Sequence, residues 1–284
     1  MSYPVLTDIL ILGATGFTGR LIARYLSTHP QRSQFTLGVG GRSIAKLEEL
    51  ANEIRLSEEA AVRVVQVDLK DESALESVVK SASVVINAIG PYFLSGTPIV
   101  RLCALNGVHY LDLTGETHWH QHLIKEYDYA ASRTGAIIVP SCAFNSVPAD
   151  ISVYLAAKAL QTLSPTLLPG NSTTVYERHG GSSGGTAATA ISTLGSVDRQ
   201  VLQRSMEPYA LSPIIGKQEK APFEFVSKLS LPRVFGGETY HGSVMFTASN
   251  NIAVVQRTFG LFEIYHAGHG KTHFSALFRS LNLL

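Results

Sequence analysis

The sequence is short of the features that would place it outside the ordinary globular proteins. Two cysteines, Cys103 and Cys142, are too few for a disulfide framework, so we expect a reducing compartment and a cytoplasmic protein. Only 16% of the residues are charged, and 23 Lys and Arg nearly balance 22 Asp and Glu. The net charge is therefore too small to attract nucleic acid or an anionic membrane. No apolar run approaches the roughly 18 residues of a membrane span. The expected partner is a small molecule, with no nucleic acid and no transmembrane segment.

Up to about residue 140 the sequence alternates short apolar runs with amphipathic stretches. The opening MSYPVLTDILILGA has no basic segment and runs directly into a glycine turn, which predicts a first strand rather than a signal peptide. The alternation predicts an α/β fold with a Rossmann doubly wound parallel sheet. The six expected strands are residues 8–12, 35–40, 62–67, 83–88, 109–113 and 136–140. The expected helices begin near Gly16, Ser43, Asp71, Ser95 and Thr117.

The rhythm changes after Pro140, where a loop and then further prolines interrupt the alternation. We therefore predict a Rossmann dinucleotide-binding domain at residues 1–145 and a second, smaller α+β domain for substrate at residues 146–284. The elements expected in the second region are a helix at 151–160, a strand at 173–178, a Gly/Ser loop at 180–185, a helix of small residues from 186, a strand at 243–248 and a helix at 252–262.

The first strand ends in the segment GATGFTG, which then opens a helix. Glycines at this turn let bare backbone approach a pyrophosphate while the N–H groups of the helix point at it. A tight turn without a ligand is the alternative, but the strand before it and the strands that follow favour a dinucleotide. The predicted phosphate-binding residues are Gly13, Ala14, Thr15, Gly16, Phe17, Thr18 and Gly19.

The second strand is followed by Arg42 and Ser43, at the place where NAD enzymes carry an acidic residue. An arginine there can bind a 2′-phosphate through its planar guanidinium, and Ser43 or Lys46 can add to the contact. A solvated charge near a helix start is the alternative. The predicted cofactor is therefore NADP(H).

Other residues at strand ends are candidates for the same ligand. Asp68, after the third strand, is expected either to cap a helix or to contact the adenine side. The fourth strand ends in Asn87, Ala88, Ile89 and Gly90, whose small side chains leave room for the nicotinamide ribose. Tyr92 follows, and its hydroxyl either faces the reacting carbon or packs under the loop.

Two further groups of residues suggest chemistry. Ser141, Tyr154 and Lys158 resemble the catalytic set of short-chain dehydrogenases, in which Lys lowers the pKa of Tyr so that it can exchange a proton. A chance YxxxK pair on a helix is the alternative.

Histidines occur in two groups, at 118, 120 and 122 and again at 266, 269 and 273. No carboxylate or thiolate completes a set of ligands near them, so we interpret them as polar surface and predict no metal.

Several motifs together resemble the saccharopine dehydrogenase-like oxidoreductases, which include the trans-acting enoyl reductases. They are GATGFTG, GGRS, VVINAIGPY, YLDLTGE, CAFNSVPAD and GGTAAT, and the resemblance that they carry covers most of the chain from residue 8 to about residue 262. The resemblance implies an NADP-type Rossmann domain joined to an α/β domain, with substrate held between them and a hydride passed from the nicotinamide.

The resemblance also implies roles for individual residues. Thr114 and Gly115 join the cofactor-binding set, and Glu116, Asn145, Gly185 and Thr186 are expected to face substrate. The family commonly has an acid where Asn145 stands, so no carboxylate role is open there. Beyond about residue 262 the sequence stops resembling the family, and we expect a shortened second domain with a reshaped pocket or an inactive product.

The function predicted from these features is NADPH-dependent reduction of a C=C (enoyl), C=N or C=O bond in a small, largely apolar metabolite, in secondary metabolism. Tyr92 and Tyr154 are the candidate proton donors, with Lys158 beside Tyr154. The substrate is expected free or linked to a carrier or synthase, and the assembly as a homodimer. The alternatives left open are a ketoreductase that uses Ser141, Tyr154 and Lys158, a cofactor-binding isomerase, and an NADP-binding protein without turnover.

Overall fold

The computed structural model describes residues 7–55, 61–164, 172, 174, 176, 184–216, 226–230, 236–237, 239–243 and 247–267. The chain divides into two compact units. The first is Met1–Cys142 together with Ser182–Val197, and the second is Ala143–Gly181 together with Asp198–Leu284. The division falls three residues before the predicted boundary, and it assigns to the first unit a segment that we expected in the second.

The described residues of the first unit form a parallel sheet of six strands: β1 (Thr7–Leu12), β2 (Leu37–Gly41), β3 (Val62–Gln66), β4 (Ala82–Asn87), β5 (His109–Asp112) and β6 (Ile138–Val139). Their order in the sheet is β3-β2-β1-β4-β5-β6. Leu12 at the end of β1 pairs with Gly40 on one side and with Asn87 on the other. Because the strands are parallel, their carboxyl ends share one edge of the sheet, where ligands bind in folds of this kind.

Helices cover both faces of this sheet. One apolar cluster includes Leu75, Ile99 and Tyr110, and a second includes Ile11 and Leu47. A parallel sheet buried on both faces explains why its central strands are continuous apolar runs rather than alternating ones. The helices of this unit are α1 (Phe17–Ser27), α2 (Ile44–Ile54), α3 (Glu72–Lys80), α4 (Tyr92–Ser95), α5 (Thr97–Asn106), α6 (Thr117–Thr134) and, from the later segment, α8 (Gly184–Ser196).

The second unit contains the helices α7 (Val147–Leu163), α9 (Arg199–Ser205) and α10 (Ala248–Ala267) and an antiparallel pair of strands, β7 (Val226–Ser230) and β8 (Thr239–Ser243). Ala149, Val153 and Ala157 of α7 form an apolar cluster with Val255 and Phe259 of α10. The unit therefore has a small core of its own within the described residues.

Three sequence predictions about this later part of the chain need correction. Helix α7 begins four residues earlier than expected, since Pro148 lies in its first turn, where proline costs no hydrogen bond. The expected strand at 243–248 is wrong at its end, because Ala248 begins α10. Helix α8 begins at Gly184, so Gly185 lies in a helix rather than a loop. The expected strand at 173–178 and most of the loop at 180–185 lie outside the described residues.

None of the helices in the described part of the chain combines the length and apolar character that a bilayer-spanning helix requires.

Candidate functional site

The turn between β1 and α1 is shaped by two glycines. Gly13 has φ +74°, and a Cβ built on it would lie 2.8 Å from the Ile89 side chain. A Cβ on Gly19, in the first turn of α1, would collide with the backbone carbonyl of Gly13. Side chains at these positions would therefore push the helix away from the strand, so the close approach of backbone to a ligand depends on glycine.

The N-terminus of α1 is open. Gly16 occupies the cap position without a side-chain hydrogen bond, and no acidic residue lies in the first turn. The first N–H groups of a helix have no partner within it, and the helix dipole adds partial positive charge there. This end fits an anion such as a pyrophosphate. Gly16 and Phe17 are exposed, whereas Thr15 and Thr18 are partly buried.

Arg42 follows β2 at the same edge and its side chain is exposed. Its backbone carbonyl accepts a hydrogen bond from Gln66 Nε2 at 3.1 Å, which fixes the chain where the strand ends. Among the described residues no carboxylate forms an ion pair with the guanidinium. Ser43 is the cap residue of α2 but makes no side-chain capping bond, and the first turn of α2 has no acid. A cation and a second open helix end thus lie together, which suits a 2′-phosphate.

Asp68 does not cap the helix that follows it. Its carboxylate accepts the backbone N–H of Lys70 at 3.0 Å, and Asp71 caps α3 by accepting the N–H of Ala74. The capping alternative for Asp68 is therefore wrong, because the chain turns once more before the helix begins. A contact of exposed Asp68 with the adenine side stays a prediction.

The other half of the edge is built from buried polar side chains. Asn87 is fully buried; its Nδ2 donates to the Tyr110 hydroxyl at 3.1 Å, and its Oδ1 accepts the N–H of Ile89 at 3.0 Å. The Tyr110 hydroxyl donates to Asp112 at 2.8 Å. Burial raises the pKa of Asp112 to about 6, although bonds from Thr114, Ser141 and Tyr110 oppose this shift.

Asp112 also holds the residues that follow β5 and β6. One carboxylate oxygen accepts the N–H of Thr114 and that of Ser141, each at 2.9 Å. Ser141 is buried with φ +62°, and its Oγ has no hydrogen-bond partner among the described residues. Thr114 in turn accepts the N–H of Glu116 at 3.1 Å, while Gly115 beside it is exposed. One signal for this network is visible in the sequence, since Tyr110 and Asp112 are two residues apart and face the same side of β5.

The contacts of Tyr92 and Glu116 favour structural roles. The Tyr92 hydroxyl donates to the Asn87 carbonyl at 3.2 Å, and its ring stacks on Trp119 at 5.7 Å between centroids. Burial and the nearby Asp112 raise the pKa of Tyr92, which makes it a weak acid. Both carboxylate oxygens of Glu116 accept backbone N–H groups, from Tyr92 at 2.8 Å and Phe93 at 2.7 Å. Of the two expectations for Tyr92, packing is the one that these contacts support, and Glu116 is committed to the start of α4.

Helix α8 lies beside the end of β4. A Cβ built on Gly90 would be 3.5 Å from the Tyr92 ring and 3.9 Å from Thr189 Oγ1. Thr186, Thr189 and Thr193 are partly buried, whereas Gly185 is exposed. These threonines follow the spacing of one helix face. Sequence reasoning named Thr186 but missed Thr189, because nothing local in the sequence brings residue 189 next to residue 90.

The set expected from short-chain dehydrogenases is divided between the two units. Ser141 belongs to the first, and Tyr154 and Lys158 lie on α7 in the second. Lys158 Nζ lies over the ring of Tyr154, 5.5 Å from its centroid, and that ring packs against Phe262. The lysine therefore contacts the aromatic face. Asn145, also in the second unit, accepts the Tyr176 hydroxyl at its backbone carbonyl at 3.1 Å.

Two of the three histidines of α6 have aromatic neighbours. His118 contacts Phe93 and His122 contacts Tyr127, edge to face, and burial lowers the pKa of His118. Within the described ranges no group of three or more His, Cys, Asp or Glu is placed to hold a metal ion. His269 and His273 lie outside the described residues, as does the side chain of His266.

Residues 9–139 match the family model of the saccharopine dehydrogenase NADP binding domain. The first unit carries this NADP-binding domain. The match covers the glycine turn, Arg42, and Asn87, Tyr110 and Asp112 of the buried network. NADP(H) is therefore the cofactor of the domain, and the resemblance expected from the motifs is confirmed. Which residues contact the cofactor stays a prediction.

Curated relatives extend the similarity beyond the NADP-binding domain. A Mycobacterium tuberculosis protein named as a trans-acting enoyl reductase is 36% identical over 214 residues, which are 74% of this chain and 50% of that protein. A lipid droplet localized protein of Caenorhabditis elegans is 34% identical over 154 residues, covering 53% of this chain and 36% of its own length. A saccharopine dehydrogenase-like oxidoreductase of Arabidopsis thaliana, named as mitochondrial, is 31% identical over 166 residues, with coverages of 56% and 36%.

The chain spans between 36% and 50% of the length of these relatives. The names of two of them place those proteins at lipid droplets and in mitochondria. A cytoplasmic location for this chain therefore stays a prediction, as does a homodimer.

Proposed function

We propose that this chain is an NADPH-dependent reductase of a conjugated C=C bond in a largely apolar acyl substrate, free or linked to a carrier. The observation that carries the cofactor half is the open N-terminus of α1 beside glycines that admit no side chain. The choice of an enoyl bond over C=N or C=O is supported by the similarity to a protein named as a trans-acting enoyl reductase.

The residues of the edge divide the work of binding. The N–H groups at the start of α1 bind the pyrophosphate, and Arg42 with the open end of α2 binds the 2′-phosphate. Ala88 and exposed Gly90 leave room for the ribose next to β4. When bound there, NADPH supplies a hydride.

Reduction of an enoyl group builds negative charge on the carbonyl oxygen of the substrate, and a hydrogen-bond donor near that oxygen lowers the barrier. The Thr189 hydroxyl is the candidate donor, because it lies beside Gly90 and is only partly buried. Tyr92 is less suited, since its proton is committed to the Asn87 carbonyl and its pKa is raised by burial. Tyr154 stays a candidate for delivering the one proton that the reduction needs besides the hydride.

The first experiment measures NADPH oxidation on a panel of enoyl thioesters, ketones and imines, with the products weighed by mass spectrometry. We expect oxidation with enoyl thioesters and a product heavier by two hydrogen atoms. A product of unchanged mass would favour an isomerase, and NADPH binding without oxidation across the panel would favour a protein without turnover. Reduction of ketones alone would favour the ketoreductase alternative.

A second experiment tests the donor. Replacing Thr189 by Val keeps the shape of the side chain and removes its hydroxyl, so kcat should fall about tenfold while the affinity for NADPH is kept. Thr193→Val, one turn further on the same helix, is the matched control and should leave kcat unchanged. Equal effects of the two variants would remove Thr189 from the mechanism.

A further inference from the structure

A chain of hydrogen bonds crosses the interior of the first unit from β4 to β5. Asn87 Nδ2 donates to the Tyr110 hydroxyl, and that hydroxyl donates to Asp112 Oδ2. Asn87 and Tyr110 are fully buried, and Asp112 is 1% exposed. Buried polar groups of this kind depend on one another, because a group that loses its partner cannot turn to water instead.

The ends of this chain hold backbone rather than side chains. Asn87 Oδ1 accepts the N–H of Ile89, and Asp112 Oδ1 accepts the N–H groups of Thr114 and Ser141. Each of the three segments that follow β4, β5 and β6 thus gives one N–H to the same network. The segments are separated by more than twenty residues in sequence, yet they are tied together at one edge.

The network also holds a conformation that a non-glycine residue rarely adopts. Ser141 has φ +62°, and backbone bonds to Asp112 fix it on both sides, since Cys142 donates its N–H to the Asp112 carbonyl at 2.8 Å. Strain of this kind persists only where the surroundings impose it, and it is concentrated at functional sites.

The order of the strands indicates which half of the cofactor would lie over this network. β1 carries the glycine turn for the pyrophosphate, and β2 carries Arg42 for the 2′-phosphate. β4, β5 and β6 all lie on the opposite side of β1. A dinucleotide whose adenosine half lies over β2 must therefore extend its nicotinamide half over the segments that the network ties together.

We propose that Tyr110 and Asp112 are positioning residues that, with Asn87, fix the three segments after β4, β5 and β6 and so set the affinity for the nicotinamide half of the cofactor. The proposal rests on the NADPH-dependent function given above. It concerns binding and not turnover. A wild-type protein that binds NADPH without turnover would therefore contradict the proposed reductase activity but not this proposal.

The test compares two ligands on two variants. Tyr110→Phe removes the central hydroxyl, and Asp112→Asn keeps an oxygen for Thr114 and Ser141 while removing the acceptor for Tyr110. Calorimetry measures binding of NADPH and of adenosine 2′,5′-bisphosphate, which carries the adenosine half and lacks nicotinamide. Both variants should bind NADPH about tenfold more weakly than the wild type, with affinity for the bisphosphate kept within about twofold.

The matched control is Val79→Ala on α3. Val79 is fully buried in the same apolar cluster as Tyr110, and its side chain forms no hydrogen bond with the network. Its truncation therefore lowers stability without breaking any hydrogen bond of the network. We expect both ligands to bind the control as they bind the wild type. Amide exchange of Ile89, Thr114 and Ser141 should speed up in Tyr110→Phe beyond any change in the control.

Two results would overturn the proposal. The first is an equal loss of affinity for both ligands, which would show a general loss of structure. The second is unchanged NADPH affinity in either folded variant. If Tyr110→Phe does not fold, Asp112→Asn alone decides between these outcomes.

Discussion

The two halves of the sheet's carboxyl edge are built from different chemical groups. On the side of β1 and β2 the edge presents main-chain N–H groups, open helix ends and the exposed side chain of Arg42. On the side of β4, β5 and β6 they are segments held from behind by buried side chains. Phosphates need charge and bare backbone, whereas an aromatic ring needs a surface of fixed shape. The difference teaches that glycine content alone describes only half of the proposed cofactor site.

The largest effect should come from the glycine that brings α1 close to β1. Gly19→Ala places a Cβ against the Gly13 carbonyl, so NADPH affinity should fall by more than about 100-fold by calorimetry. Gly195→Ala is the matched control, since Gly195 is also helical and has nothing within 4 Å of an added Cβ. Equal NADPH binding by the two variants would break the view that this half depends on bare backbone.

The next effect sharpens the contrast by charge. Arg42→Asp should weaken NADPH about 30-fold and leave NADH nearly unchanged, because a charge-assisted bond to the 2′-phosphate is lost and repulsion replaces it. Arg133→Asp, an exposed charge reversal on α6, should change neither affinity. Equal losses of NADPH and NADH in the Arg42 variant would contradict the assignment of the 2′-phosphate.

The contribution of the buried half to the free energy of unfolding should depend on pH. The folded pKa of Asp112 is raised to about 6 from an ordinary 3.8, so its contribution to stability is present below about pH 4 and lost as pH rises through 6. Asp112→Asn should remove this loss, which is of order 2 kcal/mol in the free energy of urea unfolding between pH 4 and 7. Asp150→Asn is the comparison in the second unit, where burial also raises the pKa to about 6. A pH dependence unchanged by Asp112→Asn would show that burial does not raise the pKa of this carboxyl group.

The smallest effect is expected on α7. Tyr154→Phe should change turnover by less than about twofold, because Lys158 lies over the tyrosine ring and that ring packs against Phe262. Activity is measured with whichever member of the enoyl and ketone panel is reduced. Near-complete loss of turnover would instead make Tyr154 the proton donor and favour the ketoreductase alternative.

Much of the first unit follows from sequence, because local patterns determine it. The six strands were predicted within two residues at each end, since β-branched apolar runs bounded by Gly and Pro mark buried parallel strands. The glycine turn and the position of Arg42 follow for the same reason: each is fixed by the few residues around it.

The rest depends on contacts between distant residues. Nothing local in the sequence shows that Asn87 bonds to Tyr110, that Ser141 adopts a left-handed conformation, or that α8 returns to the first unit beside Gly90. Glu116 was expected to face substrate, whereas its carboxylate holds the start of α4. An acid in a motif does not reveal whether its partner is a ligand or a backbone N–H.

The most direct test of the account is a calorimetric titration of the wild-type protein with NADPH and, separately, with NADH. We expect both to bind at one site, with NADPH at least about tenfold tighter because of Arg42. Equal affinity for the two would contradict the role of the β2 end, and no heat with either would contradict the central claim that the carboxyl edge of this sheet holds NADP(H).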